Sequence, residues 1–173
     1  MNAPKTAFFD VDGTLAAPVY RENGRAVTGF LGKEWTRYCD GARERAYDGV
    51  PLVEPVVAFA LRLLAAGWDI KVLTVTLSDG ERVAKSAWLE NKRIADMFSQ
   101  TIFVPSDRDK MQYLRDYVAR MGVAPSDCLL VEDSYANVLE ANAIGMRTAH
   151  VSHIAAGVAD ALAGLSPAQR ERS

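Results

Sequence analysis

The stretch Phe8-Phe9-Asp10-Val11-Asp12-Gly13-Thr14-Leu15 joins an apolar run to two carboxylates and a glycine. Residues two apart on a strand share a face, so the side chains of Asp10 and Asp12 can point the same way. Gly13 allows a sharp bend that brings backbone N–H groups near an anion. Aspartates at a strand end also form turns and cap helices, but those roles do not explain the whole run. The stretch therefore predicts a functional site at the end of a buried strand.

Two neighbouring carboxylates need a cation to offset their charge. Among hard divalent metals, Mg²⁺ prefers carboxylate and carbonyl oxygens and keeps positions for water and phosphate. The pair formed by Asp10 and Asp12 therefore predicts a metal site that Mg²⁺ fits best.

Length and composition fit one domain that spans residues 1–173. The chain is 49% hydrophobic, which is enough for a substantial core. Its formal net charge of −2 gives no overall attraction to nucleic acid or to an anionic membrane. The N-terminus lacks the apolar segment of a signal peptide and no stretch reaches membrane-spanning length, so we expect a cytoplasmic protein without a membrane partner.

The two cysteines, Cys39 and Cys128, form neither a disulfide framework nor a metal-binding cluster. Cys128 opens an apolar strand, where a buried thiol is the ordinary expectation. We predict structural roles for both.

Short apolar runs alternate with longer helical patterns, which is typical of a parallel sheet with helices on its faces. Predicted strands lie near residues 6–10, 69–75, 101–105, 128–132 and 148–152. The predicted fold class is therefore α/β, a three-layer Rossmann-like parallel sheet of about five strands with a small lid insertion after strand one.

Four helices are predicted between these strands from capping and stop signals, over residues 54–67, from 78 onward, over 107–122 and over 136–144. The third is expected to bury Met111, Leu114, Val118 and Met121. A short amphipathic helix is predicted after Val158.

The interval of residues 16–53 interrupts this alternation and is predicted to be the insertion. It follows the aspartate pair directly, and its part from Lys33 to Arg45 is predicted to form a short helix that acts as a lid over the site. Its aromatic residues Trp35, Tyr38 and Tyr47 are expected to be local core rather than a substrate platform.

Ligands of an open parallel sheet bind beyond the carboxyl ends of its strands. Reactive side chains lie at or after four predicted strand ends: Asp10 and Asp12, Thr74 and Thr76, Lys110, and Glu132 and Asp133. Each has an ordinary structural explanation by itself, such as strand propensity or helix capping. Together they predict one crevice in which these side chains converge.

At these residues the chain resembles the haloacid dehalogenase-like superfamily of phosphohydrolases. The resemblance covers residues 6–152 and is carried, in the expected order, by Asp10-Val11-Asp12-Gly13-Thr14, Val72-Leu73-Thr74, Lys110 and Leu130-Val131-Glu132-Asp133-Ser134. The fourth motif is moderately specific when Asn137, Ala141 and Gly145-Met146 follow it, as they do here.

The resemblance implies a Mg²⁺-dependent phosphomonoester hydrolase that forms an aspartyl-phosphate on Asp10. Asp12 would protonate the leaving oxygen and then deprotonate the attacking water, and its backbone carbonyl would be a metal ligand. Asp10, Asp133 and that carbonyl would hold Mg²⁺, with Glu132 as a further ligand either directly or through water.

The resemblance also implies that Thr74 and Lys110 hold the phosphoryl oxygens. Thr76 lies two residues further along the same strand face and is the alternative to Thr74. The dehalogenase branch lacks the second acid and the ATPase-pump branch carries threonine there, so the presence of Asp12 favours a phosphatase or a phosphotransferase.

The expected substrate is a small phosphorylated molecule, although a short lid leaves the site open enough for larger ones. One alternative is a phosphatase that removes terminal phosphates from nucleic acids, similar to a polynucleotide 3'-phosphatase. Its backbone contacts would come from Arg21, Arg25, Arg37, Arg43 and Arg45. Another alternative is a non-catalytic module that binds a phosphorylated partner.

Overall fold

The computed structural model describes residues 4–17, 19–22, 25–27 and 33–165. Within those ranges the strands are β1 (Thr6–Phe9), β2 (Tyr20–Glu22), β3 (Arg25–Val27), β4 (Asp69–Val75), β5 (Gln100–Val104), β6 (Cys128–Glu132) and β7 (Arg147–His150). Five of them form one sheet in the order β5-β4-β1-β6-β7, with every neighbouring pair parallel. β2 and β3 form a separate antiparallel pair. The predicted five-stranded parallel sheet is confirmed.

The α-helices of the described ranges are α1 (Lys33–Ala42), α2 (Glu54–Ala65), α3 (Asp79–Asn91), α4 (Asp107–Met121), α5 (Tyr135–Ala143), α6 (Val151–Ala155) and α7 (Ala159–Ala163). Half of the capping box predicted for α3 is present, because Ser78 Oγ accepts a hydrogen bond from the Glu81 N–H at 3.2 Å, whereas the Glu81 side chain accepts from the N–H of Leu77 rather than from that of Ser78. In this part of the chain, no helix combines the length and the apolar character needed to cross a membrane.

Both faces of the sheet are covered, which gives the predicted three layers. Phe8 and Phe9 are fully buried neighbours on β1 whose side chains enter different core clusters, as expected of consecutive strand residues. Phe8 packs in the cluster of Met111 and Leu114 from α4. Phe9 packs in the cluster that contains Phe59 from α2. The middle strand of the sheet is thus buried on both sides, and its carboxyl end lies in the middle of the carboxyl edge of the sheet.

The prediction that α4 buries Met121 is wrong, since this residue is 49% exposed. Tyr117 is buried instead, and its hydroxyl lies 2.9 Å from Thr6 Oγ1 at the start of β1. Because Tyr117 already reaches the beginning of the central strand, the last turn of α4 extends past the sheet and leaves Met121 in solvent.

The predicted helix of the insertion is present as α1, and it packs against α3. A Cβ atom on Gly80 of α3 would lie 2.6 Å from the Cα atom of Asp40 on α1, so only glycine permits this approach. Further along the insertion, the indole N–H of Trp88 donates to the carbonyl of Val50 at 3.0 Å. The described part of the insertion is therefore an integral part of the core beside α3.

The aromatic residues of the insertion are packed together as predicted. The rings of Trp35 and Tyr38 stack at 5.7 Å between centroids, and Trp35 meets Tyr47 edge to face at 5.6 Å. Tyr47 in turn contacts Trp88 of α3 at 6.2 Å. Trp35 and Tyr47 are buried, which confirms the interpretation of these residues as core.

Both cysteines are free and buried, in agreement with structural roles. Burial raises the pKa of the Cys39 thiol, and the nearby carboxylates of Glu81 and Asp12 raise it further. Burial also raises the pKa of Cys128 to about 11. Thiols with raised pKa values stay protonated and unreactive near neutral pH.

We therefore expect the folded protein to react slowly with Ellman's reagent at pH 8 and the chain unfolded in guanidinium chloride to react fully, at both cysteines. Absorbance of the released thiolate measures the two rates. A fast-reacting thiol in the folded protein would contradict the burial of Cys39 and Cys128.

Candidate active site

Three carboxylates meet where β1 and β6 end side by side. Phe9 is paired with Val131 in these neighbouring strands, and the next residue, Asp10, donates its backbone N–H to the Val131 carbonyl at 3.1 Å. This register brings Asp10 next to Glu132 and Asp133. One carboxylate oxygen from each of the three acids lies within 4.8 Å of the others. Such an oxygen cluster has the chemistry that a hard divalent cation requires.

The acids face a cavity of about 260 Å³ at the carboxyl edge of the sheet. Its walls include Asp10, Asp12, Gly13, Thr74, Lys85, Asp107, Glu132, Asp133 and Asn137. On one wall, the Asn137 amide donates to Asp107 at 2.9 Å and links the first turns of α5 and α4. Of the side chains that the sequence predicted to converge here, the structure brings Asp10, Asp12, Thr74, Glu132 and Asp133 to this cavity. Thr76 lies at a different one.

Lys110 provides positive charge beneath this cavity. Its Nζ atom lies 3.0 Å from Asp10 Oδ2 and 2.8 Å from Glu132 Oε2. The side chain comes from the first turn of α4, whose start is capped by Ser106. Burial opposes the charged form, but the two carboxylates outweigh it and raise the pKa of Lys110. Lys110 is thus a buried ammonium group shared by two acids.

The surroundings of the three acids shift their pKa values in different directions. Burial raises the pKa of Asp10, but Lys110, Lys85 and a hydrogen bond from Thr74 outweigh it, so the net shift is downward. Burial and the negative charge of Asp10 raise the pKa of Glu132 to about 8. The pKa of Asp133 is also raised, chiefly by burial. Asp10 is therefore the member of the cluster that is most readily ionised.

Gly13 makes room for the Asp133 carboxylate. Its φ of +71° lies in the left-handed region, and a Cβ atom there would overlap the Asp133 side chain. The backbone of Asp133 is also held, since its carbonyl oxygen lies 2.8 Å from His150 Nε2. The predicted bend after the aspartate pair thus serves to seat Asp133 beside β1.

The structure separates the two candidate threonines. Thr74 is fully buried at the wall of the cavity and hydrogen bonds to Asp10. Thr76 lies past the end of β4 and lines a different cavity together with Phe103. Of the two, only Thr74 is placed among the acids.

Sequence reasoning did not identify Lys85 or the contact that Tyr47 makes with the site. Lys85 is 2.7 Å from Asp12 Oδ2, and the hydroxyl of Tyr47 donates to Asp12 Oδ1 at 2.6 Å. In the sequence, Lys85 follows Glu81 by four residues, which is the ordinary spacing of an ion pair on a helix surface. This spacing alone does not indicate that Lys85 and Glu81 are buried beside the end of a strand.

The arginines proposed for nucleic-acid contact lie away from the cavity wall. Arg25, Arg37, Arg43 and Arg45 are exposed, and none of them lines the cavity. The side chain of Arg21 lies outside the described residues.

Comparison with protein-family models finds no match, and comparison with curated proteins finds none either. Solved structures, however, share the fold at low sequence identity. A haloacid dehalogenase-like family hydrolase from Xanthomonas campestris superposes with a TM-score of 0.56 and 14% identity, over 86% of this chain and 82% of that one.

Two further structures are similar. A HAD-superfamily hydrolase from Ehrlichia chaffeensis matches with a TM-score of 0.53 and 14% identity, over 86% of this chain and 87% of its own. A structure described as a dehalogenase matches with a TM-score of 0.56 and 13% identity, over 88% and 87% of the two chains. The chain therefore has the haloacid dehalogenase-like fold.

Proposed function

We propose that this chain is a Mg²⁺-dependent phosphomonoester hydrolase that acts through an aspartyl-phosphate on Asp10. The fold hosts more than one chemistry, so the proposal depends on the site. The observation that carries it is the placement of Asp10: a buried carboxyl group at the cavity wall, paired with Lys110 and hydrogen bonded to Thr74, both of which lower its pKa. Asp12 faces the same cavity two residues later.

In the first step a carboxylate oxygen of Asp10 attacks phosphorus and the bond to the ester oxygen breaks. Asp12 supplies the proton that the departing oxygen requires. The negative charge on the phosphoryl oxygens is stabilised by a hydrogen bond from the Thr74 hydroxyl and by the positive charge of Lys110, which lies 3.0 Å from Asp10. In the second step water attacks phosphorus, Asp12 takes up the proton of that water, and Asp10 is released as a carboxylate.

The acidic cluster fits Mg²⁺, which would be held by Asp10, Asp133 and the backbone carbonyl of Asp12. When bound, the ion supplies positive charge to the phosphoryl oxygens. The oxygens of Glu132 already accept hydrogen bonds from Lys110 at 2.8 Å and from the backbone N–H of Asp133 at 3.2 Å. This occupancy favours contact between Glu132 and the metal through water.

Release of inorganic phosphate from p-nitrophenyl phosphate tests the proposal. We expect turnover with millimolar Mg²⁺ and its loss on addition of EDTA, because the carboxylates would then repel the phosphoryl group. Activity should return when excess Mg²⁺ is restored. Turnover that is insensitive to the chelator would contradict the metal requirement, and absence of turnover with every phosphate ester tried would favour a binding module.

A small phosphorylated molecule is the substrate class that the cavity favours. Among the described residues its wall offers lysine, hydroxyl, amide and carboxylate groups, without arginine or an aromatic ring. A wall of this kind recognises the phosphate and leaves the rest of the substrate in solvent. Little salt dependence of kcat/KM is then expected, whereas a nucleic-acid substrate would give a steep one.

Substitution of the two threonines tests which one serves the site. We expect Thr74→Val to lower kcat/KM for p-nitrophenyl phosphate by about 10- to 100-fold, since one hydrogen bond to a charged group is lost. Thr76→Val should change kcat/KM by less than about twofold, because surface substitutions away from a site have small effects. Steady-state assays of both variants measure this difference. The reverse order would assign the role to Thr76.

A further inference from the structure

Lys85 of α3 is deeply buried, with 1% of its surface exposed, at the wall of the cavity. Its Nζ atom lies 2.7 Å from Asp12 Oδ2 and 3.0 Å from Glu81 Oε1. It also donates to Thr74 Oγ1 at 3.1 Å and to the carbonyl oxygen of Val75. A buried ammonium group requires a counter-charge and hydrogen-bond acceptors, and Lys85 has both.

Glu81 can meet the need for a counter-charge without Asp12. It is buried on the same helix one turn before Lys85, and its Oε2 atom is fixed by the N–H of Leu77 at 2.8 Å. The side chain of Asp12, by contrast, is 34% exposed. A partly exposed aspartate does not need a buried lysine to be stable in water. Both carboxylates raise the pKa of Lys85 against the effect of burial, Asp12 the more strongly of the two. The contact between Lys85 and Asp12 therefore serves both groups, because it adds to the counter-charge of Lys85 and also fixes the partly exposed Asp12 carboxylate.

Tyr47 holds the other oxygen of the same carboxylate. Its hydroxyl donates to Asp12 Oδ1 at 2.6 Å. The ring is buried between Trp35 and Trp88, with centroids 5.6 and 6.2 Å away. Because the ring cannot turn without disturbing these neighbours, its hydroxyl is presented from a rigid support. Each oxygen of Asp12 thus has its own donor, and the two donors come from different elements.

We propose that Lys85 and Tyr47 are positioning residues that hold the carboxylate of Asp12 in the orientation needed to deprotonate water. The inference rests on the proposed function and concerns its second step. There the water oxygen bonds to phosphorus, the bond from phosphorus to Asp10 breaks, and Asp12 takes one proton from the water. Two hydrogen-bond donors suit an ionised carboxylate, which only accepts hydrogen bonds.

The variants Lys85→Met and Tyr47→Phe test this role with p-nitrophenyl phosphate and Mg²⁺. Nitrophenolate leaves without needing much protonation, so kcat/KM reports the first step and kcat reports hydrolysis of the aspartyl-phosphate when that hydrolysis is slow. We expect Lys85→Met to lower kcat by about 10- to 100-fold, as for a misplaced catalytic group, while kcat/KM changes by less than about threefold. KM should fall together with kcat. Tyr47→Phe should show the same pattern with a smaller loss.

Rapid mixing supplies a second readout. In Lys85→Met the slowed hydrolysis should produce a burst of nitrophenolate of one equivalent per active site, followed by the slow steady rate. A fall in kcat/KM with a raised KM would instead show that Lys85 binds the substrate phosphate. An unchanged kcat in both variants would also overturn the proposal.

Lys71→Met is the matched control. Lys71 is also buried and paired, with Nζ 2.9 Å from both Asp69 Oδ2 and Ser99 Oγ, but it lies near the start of β4. We expect this variant to keep the wild-type kcat and KM. A loss of kcat in Lys71→Met equal to that in Lys85→Met would show that removal of any buried lysine has this effect.

Urea unfolding separates this inference from the proposed function. If Lys85 and Asp12 interact, the midpoint shift of the double variant Lys85→Met/Asp12→Asn will be smaller than the sum of the two single shifts. Tyr47→Phe combined with Asp12→Asn gives the same test should Lys85→Met fail to fold. Strictly additive shifts would overturn the positioning contacts even in an active enzyme. Absence of turnover in the wild type would refute the proposed function, while non-additive shifts would still support the contacts.

Discussion

Replacement of Asp10 by asparagine is expected to lower kcat for p-nitrophenyl phosphate by about 10³-fold or more, as removal of a covalent nucleophile does. The carboxamide is a far weaker nucleophile than the carboxylate. It also removes the charge that pairs with Lys110, whose Nζ atom lies 3.0 Å from Asp10 Oδ2. Initial-rate measurement of phosphate release at saturating Mg²⁺ gives the comparison directly.

Asp116→Asn is a suitable control for Asp10→Asn, because this aspartate is exposed on α4 and contacts Gln112 at 2.8 Å. Its activity should equal that of the wild type. Circular dichroism and urea unfolding would establish that Asp10→Asn remains folded. Activity of Asp10→Asn within tenfold of wild type would exclude Asp10 as the nucleophile. The reaction would then have to proceed without an aspartyl-phosphate on Asp10.

Gly13→Ala is expected to weaken Mg²⁺ binding by about 10- to 100-fold, the usual cost of disturbing the groups around a metal site. The added methyl group would overlap the Asp133 carboxylate and push it away from Asp10 and Glu132. The Mg²⁺ concentration that gives half-maximal activity should rise accordingly. The Mg²⁺-dependent increase in melting temperature should shrink as well, since this stabilisation follows metal affinity.

The control variant Gly157→Ala distinguishes steric overlap with Asp133 from the backbone strain of an alanine at positive φ. Gly157 has a φ of +73°, close to the +71° of Gly13, but a Cβ atom there would meet no atom within 4 Å. Both variants carry the cost of an alanine in the left-handed region, of about 1–2 kcal/mol. We expect only Gly13→Ala to change the Mg²⁺ requirement. An equal change in both would attribute the effect to lost stability.

The sheet and the acidic cluster could be predicted because both follow from local sequence. Apolar runs with helical segments between them specify a parallel sheet, and the run before Asp10 has the character of a strand buried on both faces. Residues at the ends of parallel strands lie together at the carboxyl edge of the sheet. Asp10, Thr74, Glu132 and Asp133 could therefore be assigned to one site from the sequence.

The supports of Asp12 could not be predicted because they depend on contacts between distant segments. Tyr47 is 35 residues from Asp12 in the chain, and its hydroxyl reaches the carboxylate only because the insertion packs on α3. Lys85 has the spacing of a surface ion pair with Glu81, and only its tertiary environment buries it. The predicted burial of Met121 is wrong because the apolar periodicity of α4 continues beyond the point at which the sheet beneath it ends.

The close approach of Gly80 to Asp40 fixes which face of α1 packs against α3. The face that carries Trp35 and Cys39 is buried and adjoins the support of Tyr47, so its divergence would disturb Asp12. The opposite face, with Glu34 and Arg37, is exposed. We therefore expect relatives of this chain to retain the residues of the first face and to vary those of the second, so that the solvent-facing surface of α1 can change while Asp12 keeps its hydrogen bond from Tyr47.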